Sequence, residues 1–374
     1  MLDVVVDGII YEMQARGGIS RLFSEILPRI CDIDESCHIN LLTSGRPRQP
    51  LPTHSRIIRR SLPPVEHLLR PRRVFWRWAP RARELMQQLL LRGATGRIWH
   101  STYYTMVTNW SGPVAVTVAD MIYERFSNLF IDEHEERFRE QKRRCVLAAD
   151  AVICISEATR QDVERYYGID SRRTRVVPLA CSSAFHASDG TADSSMIPVP
   201  TPFFLYVGER VHYKNFRRLL ETYRAWPSRR QVHLVVVGRP WSASERRHLS
   251  ELGVDNLVHL LAEPDDEELC LLYNQALALL YPSMYEGFGI PLLEAMACGC
   301  PIVASRIPST LEVAEQIPIY FEPTDLQGLQ AALDIVLSEG RGSTRVRRGL
   351  DRAKEYSWDK AARQTLDLYR ELSG

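Results

Sequence analysis

YEGFGIPLLEAMACGCPIVAS, from Tyr285 to Ser305, carries the densest local signal in the chain. Pro291 suits the first position of a helix, Leu292 to Cys298 continue it with good helix formers, and Gly299 fits a left-handed cap that Pro301 then closes. A helix therefore starts directly after Gly287-Phe288-Gly289, and the apolar run ALALLYPS before it reads as a strand. The first amides of such a helix, near Phe288, Gly289 and Ile290, suit an anion, and glycines on both sides of Phe288 let a ligand approach the backbone closely. Glu286 before the turn and Glu294 on the helix are acceptor-only carboxylates, each able to take a vicinal pair of hydroxyls. Two diols about a diphosphate apart describe a nucleotide sugar: hexose, diphosphate, ribose. The plainer alternative makes Glu294 a partner of the helix dipole and Glu286 a solvated loop residue.

The same strand-to-helix alternation runs through the chain. DVVVDGII, INLLTS, VAVTVAD, AVICIS and RVVPLA in the first half, and FFLYVGE, VHLVVVG, LVHLLAE, ALALLYPS, PIVAS and PIYF in the second, are short apolar runs separated by helix-period segments. That pattern belongs to parallel sheets in doubly wound α/β domains. At 374 residues the chain is too long for one core. The small, polar stretch from Ser182 to Pro202 reads as a linker, which gives a first domain over 1–190 and a second over 191–356. Residues 357–374 form a last amphipathic helix with a Ser357 cap. Two such domains are expected to face each other across a cleft lined by the carboxyl ends of their strands.

Cations for a diphosphate stand upstream in FFLYVGERVHYKNFRRLLETY. Arg210 and Lys214 follow a strand and its Gly208, just before a helix that begins near Asn215. Gly17-Gly18 close the first strand as a second phosphate-facing turn, before a helix capped around Ser20.

Composition is globular, with 45% hydrophobic residues, 25% charged residues and a net charge of +1, which by itself indicates neither nucleic acid nor an acidic partner. Eight cysteines without a CxxC pair suit buried reduced thiols in a cytosolic protein, and no zinc site is expected. The opening MLDVVVDGII reads as a first strand and not as a signal peptide, and no apolar run is long enough to span a bilayer. From Arg46 to Arg97 thirteen Arg stand against two Glu, a net +11, around FWRWAP and LMQQLLL. Arginines beside Trp76 and Trp78 suit an anionic membrane surface, a solvated basic helix pair being the alternative.

Taken together, EGFG-x4-EAMACG-x-P, with Glu286 and Glu294 in an E-x7-E spacing, resembles the retaining glycosyltransferases of family 4, as do VGERVHYKN, GGISR and ISEATRQDV in the same order. The resemblance covers nearly the whole chain. It implies the α/β GT-B fold, two Rossmann-like domains facing across a cleft with the C-terminal helix crossing back to the first. It also implies a nucleotide-sugar donor, no metal and no other cofactor. Glu286 would meet the donor hexose and Glu294 the ribose, Arg210 and Lys214 the diphosphate, and the Phe288 to Ile290 amides sugar and phosphate. The loop after LVHLL, at Leu261 and Ala262, would meet the base. Asp32-Ile33-Asp34 is DxD in letters only.

In VTVADMIYERF the family usually carries His-Asp where this chain has Ala119-Asp120. Three readings stay open: an engineered change, taken first; a natural variant helped by His100, which ends the strand in RIWHSTYY and is with Tyr103 a possible cleft residue; and a catalytically silent sugar-nucleotide-binding homologue. His100 is as readily structural as functional. The resulting expectation is transfer of a hexose with retention, from UDP-glucose in first place and GDP-mannose next, to a glycan or polyprenyl-diphosphate-linked acceptor. The protein is expected in the cytoplasm, peripheral on the inner face of the membrane. A sugar-nucleotide epimerase of the same architecture is the alternative enzyme.

Overall fold

The computed structural model describes residues 2–15, 17–43, 46–61, 97–107, 109–188 and 199–374. They divide into two units, Met1–Leu179 with Ser357–Gly374, and Ala180–Tyr356. The division falls earlier than the 190/191 boundary expected from composition, and that boundary itself lies outside the described residues. The reason is local packing: Phe185 sits edge-on to Tyr273 at 6.0 Å, and Asn274 Nδ2 donates to the His186 carbonyl at 2.9 Å, so the start of the supposed linker belongs to the second unit.

The first unit is built on strands β1 (Leu2–Asp7), β2 (Cys37–Thr43), β3 (Ile57–Ser61), β4 (Ile98–Ser101), β5 (Val114–Val118), β6 (Ala151–Cys154) and β7 (Thr174–Val176), in the order β3-β2-β1-β4-β5-β6-β7. The second holds β8 (Phe203–Val207), β9 (His233–Gly238), β10 (Val258–Ala262), β11 (Ala278–Tyr281), β12 (Ile302–Ser305) and β13 (Ile319–Phe321), in the order β10-β9-β8-β11-β12-β13. Neighbouring strands are parallel in both sheets. Central strands such as β1, β8 and β9 are covered on both faces, which is why they read as unbroken apolar runs. The edge strand β3, sequence IIRRS, has no such run; only Ile57 is buried, and its two arginines hide it from pattern reading.

Strand order reverses between β1 and β4 in the first sheet and between β8 and β11 in the second. Ligands of doubly wound sheets bind beyond the carboxyl ends of the strands at such a reversal. The segments that follow β8 and β11 are those carrying Arg210, Lys214 and Glu286.

In the first unit the helix Gly18–Ile33 is capped by Gly17, not by Ser20. The Ser20 hydroxyl lies in the first turn and donates back to the Gly17 carbonyl at 3.0 Å, so it has no free role as a cap. The helix Trp358–Ser373 packs on this same helix within the first unit, with Ser357 as its cap. Arg29 pairs with Asp359 at 3.0 Å and Arg370 with Asp34 at 2.6 Å. Ser36 and Arg370 hold the Asp34 carboxyl down at about 2. The letters DxD at 32–34 are thus the end of a helix and an anchor for the last one.

Candidate active site

Glu286 stands in the turn after β11 and is only 8% exposed. Lys214 Nζ reaches both of its oxygens, at 2.7 and 2.8 Å, and Ser283 Oγ donates to Oε1 at 2.6 Å. A carboxylate this buried needs such partners. The two turns are stapled by the Met284 amide, which donates to the Tyr213 carbonyl at 2.8 Å. Burial first, and then the Glu286 charge, push the phenol of Tyr281 well above its ordinary value.

Lys214 closes a short 3-10 turn, His212–Lys214, and Asn215 at φ 59° then caps the helix Phe216–Ala225. The Asn215 side chain donates to the Pro323 carbonyl at 2.8 Å, which fixes where the lysine begins. The ammonium is therefore set against the carboxylate by backbone geometry at both ends.

The helix after the glycine turn is Ile290–Ala297, with Pro291 in its first turn. Gly289 caps it at φ +116°, a conformation that side chains other than glycine's avoid. At the other end the Gly299 amide bonds Met296 O and the Cys300 amide bonds Ala295 O, a Schellman closure with Gly299 at φ 59°. Phe288 is buried edge-on to Tyr356 at 5.7 Å, which anchors the turn from below. Glu294, 6% exposed, accepts a 2.9 Å hydrogen bond from the Tyr273 hydroxyl.

Arg210 follows Gly208, which sits at φ +138°. Its Nε lies 2.6 Å from Glu245 Oε1, its Nη2 donates to the Arg239 carbonyl at 2.9 Å, and its plane lies 4.4 Å from the Trp241 ring. The 212–214 turn and the Arg210 network thus hold two cations beyond the ends of β8 and β9. Leu261 is the last residue but one of β10, and the chain turns sharply after Ala262 with Glu263 at φ 49° before Asp265 caps the helix Asp266–Gln275.

The first unit treats its polar residues differently. His100 is fully buried, with Nδ1 2.5 Å from the Tyr369 hydroxyl and Nε2 2.8 Å from Thr117 Oγ1, and burial pushes its pKa down to about 3. Both ring nitrogens are engaged by core groups, so the reading of His100 as a stand-in for the histidine missing at 119 is corrected to a structural one. Tyr103 is half-buried against Tyr104 and Phe138. Ala119 follows β5 and its carbonyl accepts from Thr159 Oγ1 at 3.5 Å, while Asp120 Oδ1 accepts from the Ile122 amide at 3.1 Å. The buried pair Lys142 and Glu124, 2.8 Å apart, supports this turn, because Lys142 Nζ also donates to the Asp120 carbonyl at 2.7 Å. Gly17 and Gly18 open the helix Gly18–Ile33, but a short helix, Ile9–Met13, separates it from the end of β1 at Asp7, so the reading of these glycines as the turn that closes the first strand is corrected.

Sequence reasoning missed Ser283, Tyr273, Trp241 and Glu245. Only Glu245 had a local signal, since Ser242-x-x-Glu245 is a capping box; the others are recognised by what they touch. Among the described residues, no group of three His, Cys, Asp or Glu could hold a metal ion, and no helix is long and apolar enough to cross a membrane.

The profile of Glycosyl transferases group 1 matches residues 191–354, and that of Glycosyltransferase Family 4 matches residues 17–182. The chain belongs to the family 4 glycosyltransferases. Among curated members, the O-antigen chain mannosyltransferase B of Escherichia coli is 31% identical over 237 residues, 60% of this chain and 61% of that one. The MMP alpha-(1->4)-mannosyltransferase of Mycolicibacterium hassiacum is 30% identical over 240 residues, 62% and 56% of the two chains. The matched stretch is thus less than two thirds of either relative's length. Of the solved structures, a sucrose-phosphate synthase from Thermosynechococcus elongatus matches with a TM-score of 0.76 at 21% identity, covering 100% of this chain and 99% of that one. WaaG, a glycosyltransferase involved in lipopolysaccharide biosynthesis, matches at 0.73 and 17%, covering 98% and 99%. This family 4 chain has the GT-B fold.

Proposed function

We propose that this family 4 glycosyltransferase moves a hexose, with retention, from a nucleotide-diphosphate sugar to a glycan or lipid-linked saccharide. The observation that carries the reading is the Lys214 and Glu286 pair, buried beside the glycine-capped helix that bears Glu294. In this reading Glu286 orients the donor hexose and Glu294 the ribose. Arg210 and Lys214 neutralise the diphosphate as it leaves, and the backbone from Gly287 to Ile290 lines sugar and phosphate. Leu261 borders the base. In this reading no carboxylate pair among the described residues serves as nucleophile and acid, and the departing phosphate takes the acceptor's proton on the face it leaves, the route the family resemblance implies.

The mannosyltransferase names of the relatives favour mannose as the hexose, and so the second donor of the sequence reading, GDP-mannose, over UDP-glucose. No metal takes part in this reading, so turnover in excess EDTA matches turnover without it. Family membership leaves the epimerase alternative without support. The membrane role of the Arg46–Arg97 segment rests on sequence, because 62–96, with both tryptophans, lie outside the described residues; flotation with anionic vesicles at low salt tests it.

Ala119 makes a silent, donor-binding form the second reading. The experiment is calorimetric titration of GDP-mannose and UDP-glucose into this protein and its Ala119→His variant, followed by donor hydrolysis. Binding by both with turnover raised about a hundredfold in the histidine form supports a transferase lacking one sugar contact. Binding with no turnover in either supports the silent homologue, and no binding removes the donor-site reading.

A further inference from the structure

A guanidinium has five N–H donors in a rigid planar fork. In Arg210 one edge of that fork is fully used: Nε donates to Glu245 Oε1 at 2.6 Å, and Nη2 meets the Arg239 carbonyl at 2.9 Å, the Pro240 carbonyl at 3.3 Å and Glu245 Oε2 at 3.3 Å. The opposite nitrogen, Nη1, is buried with no hydrogen-bond partner among the described residues, although the side chain is only 5% exposed. Buried donors are nearly always paired, so this one calls for an acceptor from outside the chain.

Room for that nitrogen is made by a glycine. A Cβ at Gly238, the last residue of β9, would stand 2.9 Å from Arg210 Nη1 and 2.8 Å from the Gly208 carbonyl. Trp241 covers the face of the guanidinium at 4.4 Å. Glu245 is itself fixed, because it completes the cap of the helix Ala243–Leu252 by accepting the Ser242 amide at 2.8 Å. Burial alone would raise its pKa, but hydrogen bonds from Arg210 and Ser242 outweigh it and hold the carboxyl at about 2, ionised at any pH at which the protein works.

We propose that Glu245, backed by Trp241, is a positioning residue: it clamps the Nε and Nη2 edge of Arg210 so that Nη1 is presented to the donor's diphosphate. This rests on the reading of Arg210 as a diphosphate cation. Glu245 touches no substrate and acts through Arg210 alone. A side chain with free torsions would lose that alignment, and charge-assisted hydrogen bonds depend on it.

The test is a double-mutant cycle read by calorimetric binding of GDP and UDP to the full chain, with thermal unfolding followed in parallel. Arg210→Ala is expected to weaken whichever nucleoside diphosphate binds by about tenfold or more, and Glu245→Ala by about tenfold. The double variant should bind no more weakly than Arg210→Ala alone. Glu245→Gln, which keeps one acceptor, should lose less, and it serves if the alanine variant fails to fold. Ser242→Ala removes the hydroxyl half of the cap while leaving the backbone amide, and should lower Tm with affinity unchanged. Wild-type affinity in both Glu245 variants, or a further loss when Glu245→Ala is added to Arg210→Ala, would overturn the positioning role while sparing the Arg210 reading. If Arg210→Ala binds as tightly as the wild type, or neither nucleotide binds the wild type, the diphosphate reading falls and the positioning role with it.

Discussion

The carboxyl ends of the two sheets offer a controlled comparison, since both are doubly wound and both bury polar side chains there. In the first unit His100 and Asp7 close on neutral partners, although Lys142 and Glu124 form a buried charged pair behind the turn after β5. His100 lies between Thr117 and Tyr369, and Asp7 takes hydrogen bonds from Thr102 and Thr105. In the second unit Glu286 closes on Lys214 and Arg210 on Glu245, with one guanidinium nitrogen left over, while Glu294 closes on the neutral Tyr273 hydroxyl. Neutral pairing satisfies His100 and Asp7 and leaves those two groups nothing to offer a ligand. Charged pairing, incompletely satisfied, leaves a site poised for an anion.

Removing a charge from the second unit should cost function most. Glu286→Ala in the Ala119→His background is expected to lower donor turnover by about a hundredfold, measured as GDP-mannose hydrolysis; turnover within a factor of about three would mean that the carboxylate serves Lys214 and not the sugar. Lys214→Met should in addition cost about 2 kcal/mol of stability by urea unfolding, because it strips the counter-charge from a buried carboxylate and leaves it only neutral hydroxyl partners such as Ser283 and Tyr281.

The first unit should respond in stability with donor affinity unchanged, and its pH dependence has a worked sign. His100 titrates near 3 when folded and near 6.5 when unfolded, so the unfolded chain binds the extra proton and stability falls as pH drops through that window. Asp7 runs the other way: burial raises it from 3.8 to about 6, and the folded state binds the extra proton between those values. Asp7→Asn should therefore make acid destabilisation between pH 6 and 4 steeper. His100→Leu should flatten or reverse it after costing about 2 kcal/mol at pH 7, and urea midpoints at three pH values would check both. An unchanged slope in both variants would erase the contrast between the units.

Smaller effects concern the frames that hold these groups. Gly289→Ala is expected to cost about 1 to 2 kcal/mol, since φ +116° is retained only under strain and the new methyl would crowd Leu292 at 3.1 Å. Ser357→Ala should cost about 1 kcal/mol by removing a helix cap, with no effect on nucleotide binding.

Much of this was legible. Every apolar run read as a strand forms one, and the helix after Gly289 begins within a residue or two of where Pro291 predicts. The exception, β3, is an edge strand with only Ile57 buried and polar residues on both faces, so neither an apolar run nor an alternation shows. At the site, the residues with local motifs were found, whereas Ser283 and Tyr273 were not, because nothing in their neighbourhood distinguishes them from ordinary loop and helix residues. His100 was ambiguous for a physical reason: a strand end fixes the position of a histidine, but not what surrounds its two nitrogens.

The sequence by itself determined the order of elements, the caps and the glycine turns, because propensity, periodicity and capping act over a few residues. It also placed Glu286, Arg210 and Lys214 after strand ends and Glu294 on the helix that follows the glycine turn, since each stands a short count from an apolar run or a cap. Only the tertiary structure decided which charge meets which. Lys214 and Glu286 are 72 residues apart, Arg210 and Glu245 are 35, and His100 and Tyr369 are 269. Such pairs depend on strand order and on helix docking, so the same strand-end histidine becomes a satisfied core group and the same strand-end arginine keeps a donor in reserve.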